Sequence, residues 1–228
     1  YGAKFEGDDL FPCYSSDVSS KYLVRYFEWM KEKIEEIGPE EVHIISLGDL
    51  VDGTHLRLQH ARETDKNLVD QCMDVVDIFI DQLPRVVDLS KNISFWSVPG
   101  NHARVQQRVG SGHPAENMDL MISRFIQRYM AKQPISFNIS TNWYVSGEIS
   151  GNHAIAVHGD EVRGFSNPLR SIGERAIAYQ NKMVQSGRFT RLDSVFCGHF
   201  HNQMSHDNGV VKTYMNGAFQ TSSEYVSR

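Results

Sequence analysis

Four short clusters hold the residue types that could do chemistry. Asp49 and Asp52 sit in Gly48-Asp49-Leu50-Val51-Asp52-Gly53, and Asn101 and His102 follow Gly100. His158 precedes Gly159-Asp160, and His199 and His201 stand one residue apart after Gly198. Carboxylate, imidazole and amide oxygen are the ligands that hard or borderline divalent ions take. A His-x-His pair in extended chain points both rings to one side, because side chains there repeat every second residue. That suits two imidazoles reaching one metal centre or two adjacent ones. Glycine beside each of these residues lets backbone and substrate approach closely.

Each cluster needs an element to present it. Residues 42–47 form an apolar run rich in β-branched side chains, which predicts a buried parallel strand ending at Asp49. Residues 93–98, 154–157 and 194–197 are similar runs ending at the other three clusters. Between them the spacing predicts helices. The first runs over 20–37, capped by Ser19 or Ser20, with Leu23, Tyr26, Phe27, Met30 and Ile34 on one face and Gly38-Pro39 as its stop. Others run over 64–83, about 115–130 and 169–185. Residues 135–139 and 143–145 read as two short strands paired with each other, and 210–215 as a last strand. Strands alternating with helices predict a layered α/β fold. Sites in such sheets gather beyond the carboxyl ends of the strands, so the four clusters should converge.

Composition bounds the class. The chain has 228 residues, 40% of them apolar and 11% aromatic, enough for one domain over 1–228 with a real core. No apolar run approaches the ~20 residues that span a bilayer, and no signal pattern opens the chain, so the expectation is a soluble cytoplasmic protein with no membrane partner. Cys13, Cys72 and Cys197 show no paired spacing and fit a reducing compartment. A net charge of −5 excludes a globally basic surface. A local basic rim from Arg57, Arg62, Arg104, Arg108, His113 and Arg163 stays open, against scattered solvated charge. His43, His55, His60, His153 and His206 read as non-ligands, and Cys197 and Met204 as packing.

In their order, each after a strand, the four clusters resemble the motifs of the calcineurin-like metallophosphoesterases, closest to the DNA nuclease branch. The resemblance covers about residues 42–217. It implies an α-β-β-α sandwich of two mixed sheets flanked by helices, holding two divalent ions: manganese first, with magnesium, zinc or iron as alternatives. By position it implies that Asp49 bridges both ions, that Asn101, His158 and His199 complete the second site, and that His201 binds the first. His102 would be no ligand but would protonate the leaving oxygen or stabilise charge, and Asp52 would orient a histidine. Arg104 stands where many relatives carry an acidic residue. It is either a bidentate phosphate contact or a solvated surface arginine.

One departure matters. The family opens with Asp-x-His after its first strand, and no such motif occurs here. The expectation is that this strand and motif lie upstream, leaving the first metal site with Asp49 and His201 only, and so empty or weak. Asp8, Asp9 and Asp17 are the available substitutes, but their spacing does not match.

The activity this implies is a metal-dependent phosphodiesterase on nucleic acid, DNA in particular. The alternatives are a phosphomonoesterase on phosphoproteins or nucleotides, and a metal-poor scaffold that binds a partner. Nuclease relatives act as dimers with an ATPase, and the amphipathic helix over 20–37 could serve such an interface or simply pack on the core.

Overall fold

The structure, a computed structural model, describes residues 1–7, 12–54, 60–105, 115–162, 168–187 and 189–220. Asp8, Asp9, His55, Arg57, Arg108, His113 and Arg163 lie outside these residues.

Helix α1 (Ser16–Ile37) begins on Ser15, whose side chain accepts the Val18 N–H, and stops at Gly38, left-handed at φ 61°. Ser15 has the extended backbone that a cap requires. Ser19, the expected cap, is buried one turn further inside the helix. Phe27 and Ile34, seven residues apart, form its buried stripe.

Strands β1 (Glu41–Ser46), β2 (Asn92–Ser97) and β3 (Ile135–Ile139) make a three-stranded sheet in the order β1-β2-β3. All its pairs are parallel. Helix α2 (Leu68–Gln82), the single turn α3 (Pro84–Val87) and α4 (Met118–Tyr129) return the chain between these strands. A helical crossover brings the chain back to the end it left, which is why this sheet is wholly parallel and only the other is mixed. The helices cover one face of the sheet through a core that includes Phe27, Val75, Phe79, Phe95, Ile122 and Ile126.

The second sheet contains β4 (Tyr144–Ile149), β5 (Asn152–Val157), β6 (Ser194–Cys197), β7 (Met204–Asp207) and β8 (Lys212–Met215), in the order β4-β5-β6-β8-β7. Its three middle strands run parallel and its two outer pairs antiparallel. Helix α5 (Pro168–Gln185) covers its outer face through Ile172, Ala176 and Tyr179. The inner faces of the two sheets meet through Trp96, Val98, Val145, Ala154 and Ala156. The result is the expected four layers, helix, sheet, sheet, helix. Strand β2 shows why both its faces must be apolar. Phe95 points to the helices and Trp96 to the other sheet, where a Cβ on Gly147 would lie 2.7 Å from the indole.

Two expectations need correction. Residues 135–139 and 143–145 do not pair with each other: β3 joins β2, and β4 joins β5. Ile135 and Phe137 pack on the helix-side core and Val145 between the sheets, so the chain changes sheet between them. Strand β7 was not expected at all. It is an edge strand alternating half-buried and exposed residues, with no apolar run to announce it.

Along the outer edge of β1 no strand pairs among the described residues. Tyr1 lies just past its end, with its nitrogen 3.1 Å from Leu50 O and its carbonyl accepting the Asp52 N–H at 2.6 Å. A groove of about 550 Å³ opens there, and its lining includes Asp49, His102, His158, His199 and His201. Among the described residues no helix is long and apolar enough to cross a membrane.

Candidate metal centre

The four clusters do converge. Strands β1 and β2 of one sheet and β5 and β6 of the other each end at one of them. The junction is tight because glycines line it: a Cβ on Gly48 would lie 2.6 Å from Gly100 N and Cα, and one on Gly198 3.1 Å from Leu47 Cβ. Asp49 (φ 55°), His199 (φ 67°) and His201 (φ 57°) hold left-handed backbone, which costs a non-glycine residue about 1–3 kcal/mol. Among the described non-glycine residues only Ser150, in the β4–β5 turn, shares it. Strain concentrated on three candidate ligands is strain kept where chemistry needs an unusual side-chain direction.

Asp49, His158 and His199 each offer a ligand atom within 4.8 Å of the others. The His158 Nδ1–H donates to the Leu47 carbonyl at 2.7 Å, which leaves Nε2 of the neutral ring as an acceptor. That nitrogen lies 2.8 Å from Asn101 Oδ1 and 3.1 Å from Asp49 Oδ2. Asp49 Oδ2 is buried and, although close to His158, takes no hydrogen bond of good geometry. Asp49 Oδ1 accepts the His102 main-chain N–H at 2.9 Å. With the ring neutral, three acceptors face one another and repel unless a cation sits among them; with the ring charged, its Nε2–H is the donor between them. The residues fit a divalent ion, and Asp49, Asn101, His158 and His199 would hold it.

The electrostatics agree. Burial works against the Asp49 carboxylate, but His158 and His102 outweigh it and hold its pKa below the usual range. Burial also disfavours charge on His158, yet Asp49 overrides this and lifts the ring to about 9. Without a metal, a proton on His158 supplies the positive charge. Burial and the neighbouring His158 push His199 down to about 4, so its ring stays neutral and able to ligate. His201 lines the same groove but is exposed and is not among these three groups. Partial loss of water where the ring faces the groove lowers its pKa.

A second group forms around Asp52. Its Oδ2 lies 3.0 Å from His60 Nε2, and its Oδ1 3.0 Å from His102 Nδ1. Nδ1 is also 2.9 Å from the Asp52 carbonyl. An ionised carboxylate and a carbonyl only accept, so both imidazoles donate here. Burial opposes ionisation of Asp52, but these two hydrogen bonds hold its pKa well down. Here donors and acceptors match, unlike at Asp49. Arg104 forms an ion pair with Asp160, linking the loop after β2 to the loop after β5. Asp17 lies in the first turn of α1 and joins neither group.

Two further residues organise the site. Asp119, fully buried at the start of α4, accepts the N–H groups of Asp49 (2.9 Å), Leu50 (3.1 Å) and Gly100 (2.9 Å). One carboxylate thus locks two ligand loops together. Burial, then the charge of Asp49, raises it to about 6. Gln71, also fully buried, accepts from Gly53 N at 3.0 Å and donates to Gly53 O at 3.3 Å. Neither stands in a cluster. The available signal was Asn117-x-Asp119, a capping residue followed by an acid in the first turn of a helix, which reads as ordinary capping.

No family model and no curated protein matches the chain. Solved structures similar to it include these three. An archaeal phosphodiesterase is 16% identical, with 84% of this chain and 74% of that one covered and a TM-score of 0.39. A Vps29 double mutant from Entamoeba histolytica is 17% identical over 62% and 63%, at 0.34. A predicted phosphoesterase from Streptococcus pneumoniae is 9% identical over 78% and 71%, at 0.32. The geometry of the site, rather than these likenesses, carries its chemistry.

Proposed function

We propose that the chain is a divalent-metal phosphoesterase, and within that class a phosphodiesterase acting on DNA. The observation that carries the reading is the convergence of Asp49 Oδ2, which has no hydrogen bond, with Asn101 Oδ1, His158 Nε2 and a ligand atom of His199. A divalent ion bound there supplies Lewis acidity toward a phosphoryl oxygen and lowers the pKa of water toward neutrality. His201, on the same groove, serves a second ion together with Asp49. Manganese is the ion we favour for both.

The proton belongs to His102. With Nδ1–H committed to Asp52, Nε2 is the atom that holds a proton for the leaving oxygen, at the groove His102 lines. Asp52 favours the charged ring. The DNA substrate is supported by the arginines in the loops after Asp52 and His102, of which Arg62 and Arg104 are described. Arg104 reaches a phosphate by exchanging its Asp160 partner.

With Mn²⁺ added, the protein is expected to cleave DNA and bis(4-nitrophenyl) phosphate, and His102→Ala to lose about 10²–10⁴-fold in rate. Cleavage of 4-nitrophenyl phosphate with no nuclease activity would overturn the substrate. Absence of all phosphoester hydrolysis at saturating Mn²⁺ would overturn the class.

A further inference from the structure

His60 is fully buried and groups with Asp52 and His102, yet it stands in none of the four sequence clusters and outside the Asp49, His158 and His199 set. It lies on a single 3-10 turn, His60–Arg62, outside the sheets. Its Nε2 donates to Asp52 Oδ2 at 3.0 Å. Its ring meets that of His102 edge to face, centroids 5.8 Å apart and planes at 77°. The other Asp52 oxygen, Oδ1, faces His102 Nδ1 at 3.0 Å. Each carboxylate oxygen of Asp52 is thus engaged by one imidazole, and the group cannot rotate without releasing one of them.

We propose that His60 is a positioning residue for His102, acting through Asp52. It engages one carboxylate oxygen, so the other stays on His102 Nδ1, and it walls the His102 ring on one side. Together with the Asp52 main-chain carbonyl, 2.9 Å from the same nitrogen, this holds His102 as the Nδ1–H tautomer, with Nε2 as the nitrogen that exchanges a proton at the groove. Aligning a relay from its far end costs nothing at the moment of reaction, since the hydrogen bonds are already formed. The kinetic part of this inference rests on the phosphoesterase reading, but the tautomer does not.

The experiment has two arms. By ¹⁵N NMR of the metal-free protein, His102 is expected as the Nδ1–H tautomer and His60 with a hydrogen-bonded Nε2–H. In His60→Leu the His102 signals should move toward a tautomer mixture, while His60→Gln should retain the wild-type pattern, because the glutamine amide nitrogen stands where Nε2 stands. An Nε2–H tautomer of His102 in the wild type, which needs no variant to fold, overturns the proposal. So does an unchanged tautomer in His60→Leu. The second arm compares methyl phenyl phosphate with methyl 4-nitrophenyl phosphate under Mn²⁺. His60→Leu should lower kcat by about 10–100-fold on the phenyl ester, whose basic leaving group needs a proton, and by much less on the nitrophenyl ester, with KM steady and His60→Gln restoring most of the rate. Equal losses on both esters indicate a merely structural residue and overturn it. If neither ester is cleaved by any form, the failure belongs to the phosphoesterase reading, and the NMR arm still decides the positioning.

Discussion

The Nδ1–H of His158 and the main-chain carbonyl of Leu47 meet at 2.7 Å across 111 residues of chain. Leu47 follows β1 of the smaller sheet and His158 follows β5 of the larger, so this one bond ties the sheets together at the site. It also selects the tautomer, because a carbonyl can only accept. Nε2, turned toward Asp49 and Asn101, is then the nitrogen that gains or loses the second proton.

A metal must therefore displace a proton. Burial alone would lower the pKa of His158, but Asp49 raises it to about 9 in the metal-free protein. Between pH 9 and 7 the apparent affinity for Mn²⁺ should fall about tenfold per unit, and each ion bound at neutral pH should release about one proton. Calorimetry in buffers of different ionisation enthalpy measures both. A pH-independent affinity would count against His158 as a ligand.

Asp119→Ala leaves one buried and two part-buried N–H groups without an acceptor. At about 1–3 kcal/mol for the buried group and about 1 kcal/mol for each of the others, the expected cost is roughly 3–5 kcal/mol in urea unfolding. Weaker Mn²⁺ binding should accompany it, since two ligand loops lose their common anchor. Asp119→Asn, which keeps one acceptor oxygen, should lose less. A destabilisation below about 1 kcal/mol would show that those amides find other partners.

Gly100→Ala places a Cβ 2.2 Å from both the main-chain nitrogen and Oδ1 of Asp49. No side chain can move aside, because the obstacle is the ligand and its backbone. Overpacking of this kind costs about 1–3 kcal/mol, and the displaced Asp49 should abolish the Mn²⁺-induced rise in Tm. Gly187→Ala is a useful control: φ is 68° there, but no atom lies within 4 Å of the new Cβ, so it should cost stability and spare metal binding.

The cysteines offer a pH test remote from activity. Burial pushes the Cys72 thiol up to about 11 and the Cys197 thiol up to about 12, whereas Cys13 is exposed. At pH 8 a thiol reagent should label one cysteine in the native protein and all three after unfolding. The sign of the stability effect follows. A raised folded-state pKa favours the neutral thiol, so its contribution is complete below about pH 8.5 and is lost as pH rises toward 11–12. Rapid native-state labelling of Cys72 would contradict its burial.

The candidate ligands were legible as a group that converges, because each stands shortly after its strand. Asp49, Asn101, His158 and His199 follow short apolar runs by one to four residues, and strand ends in an α/β sheet are where sites collect. His201 shares the motif but not the cluster, because the backbone turns left-handed at both His199 and His201 and breaks the every-second-residue alternation that would aim the rings together. Asp119 and His60 were illegible for another reason. Both act on main chain or side chain brought to them by folding: Asp119 lies 70 residues from the Asp49 amide that it binds, and His60 sits on a turn with no periodic signal.

Local chemistry, in residue types and their distance from a strand end, is written along the chain and can be read there. Whether an acceptor has a donor is not, since the answer depends on which groups meet across tens of residues. Sequence alone thus determined which side chains could ligate a cation. Only the packing of two sheets against each other decided that Asn101 Oδ1 and His158 Nε2 meet beside an Asp49 Oδ2 that has no hydrogen bond, and that Asp52 is gripped from both sides.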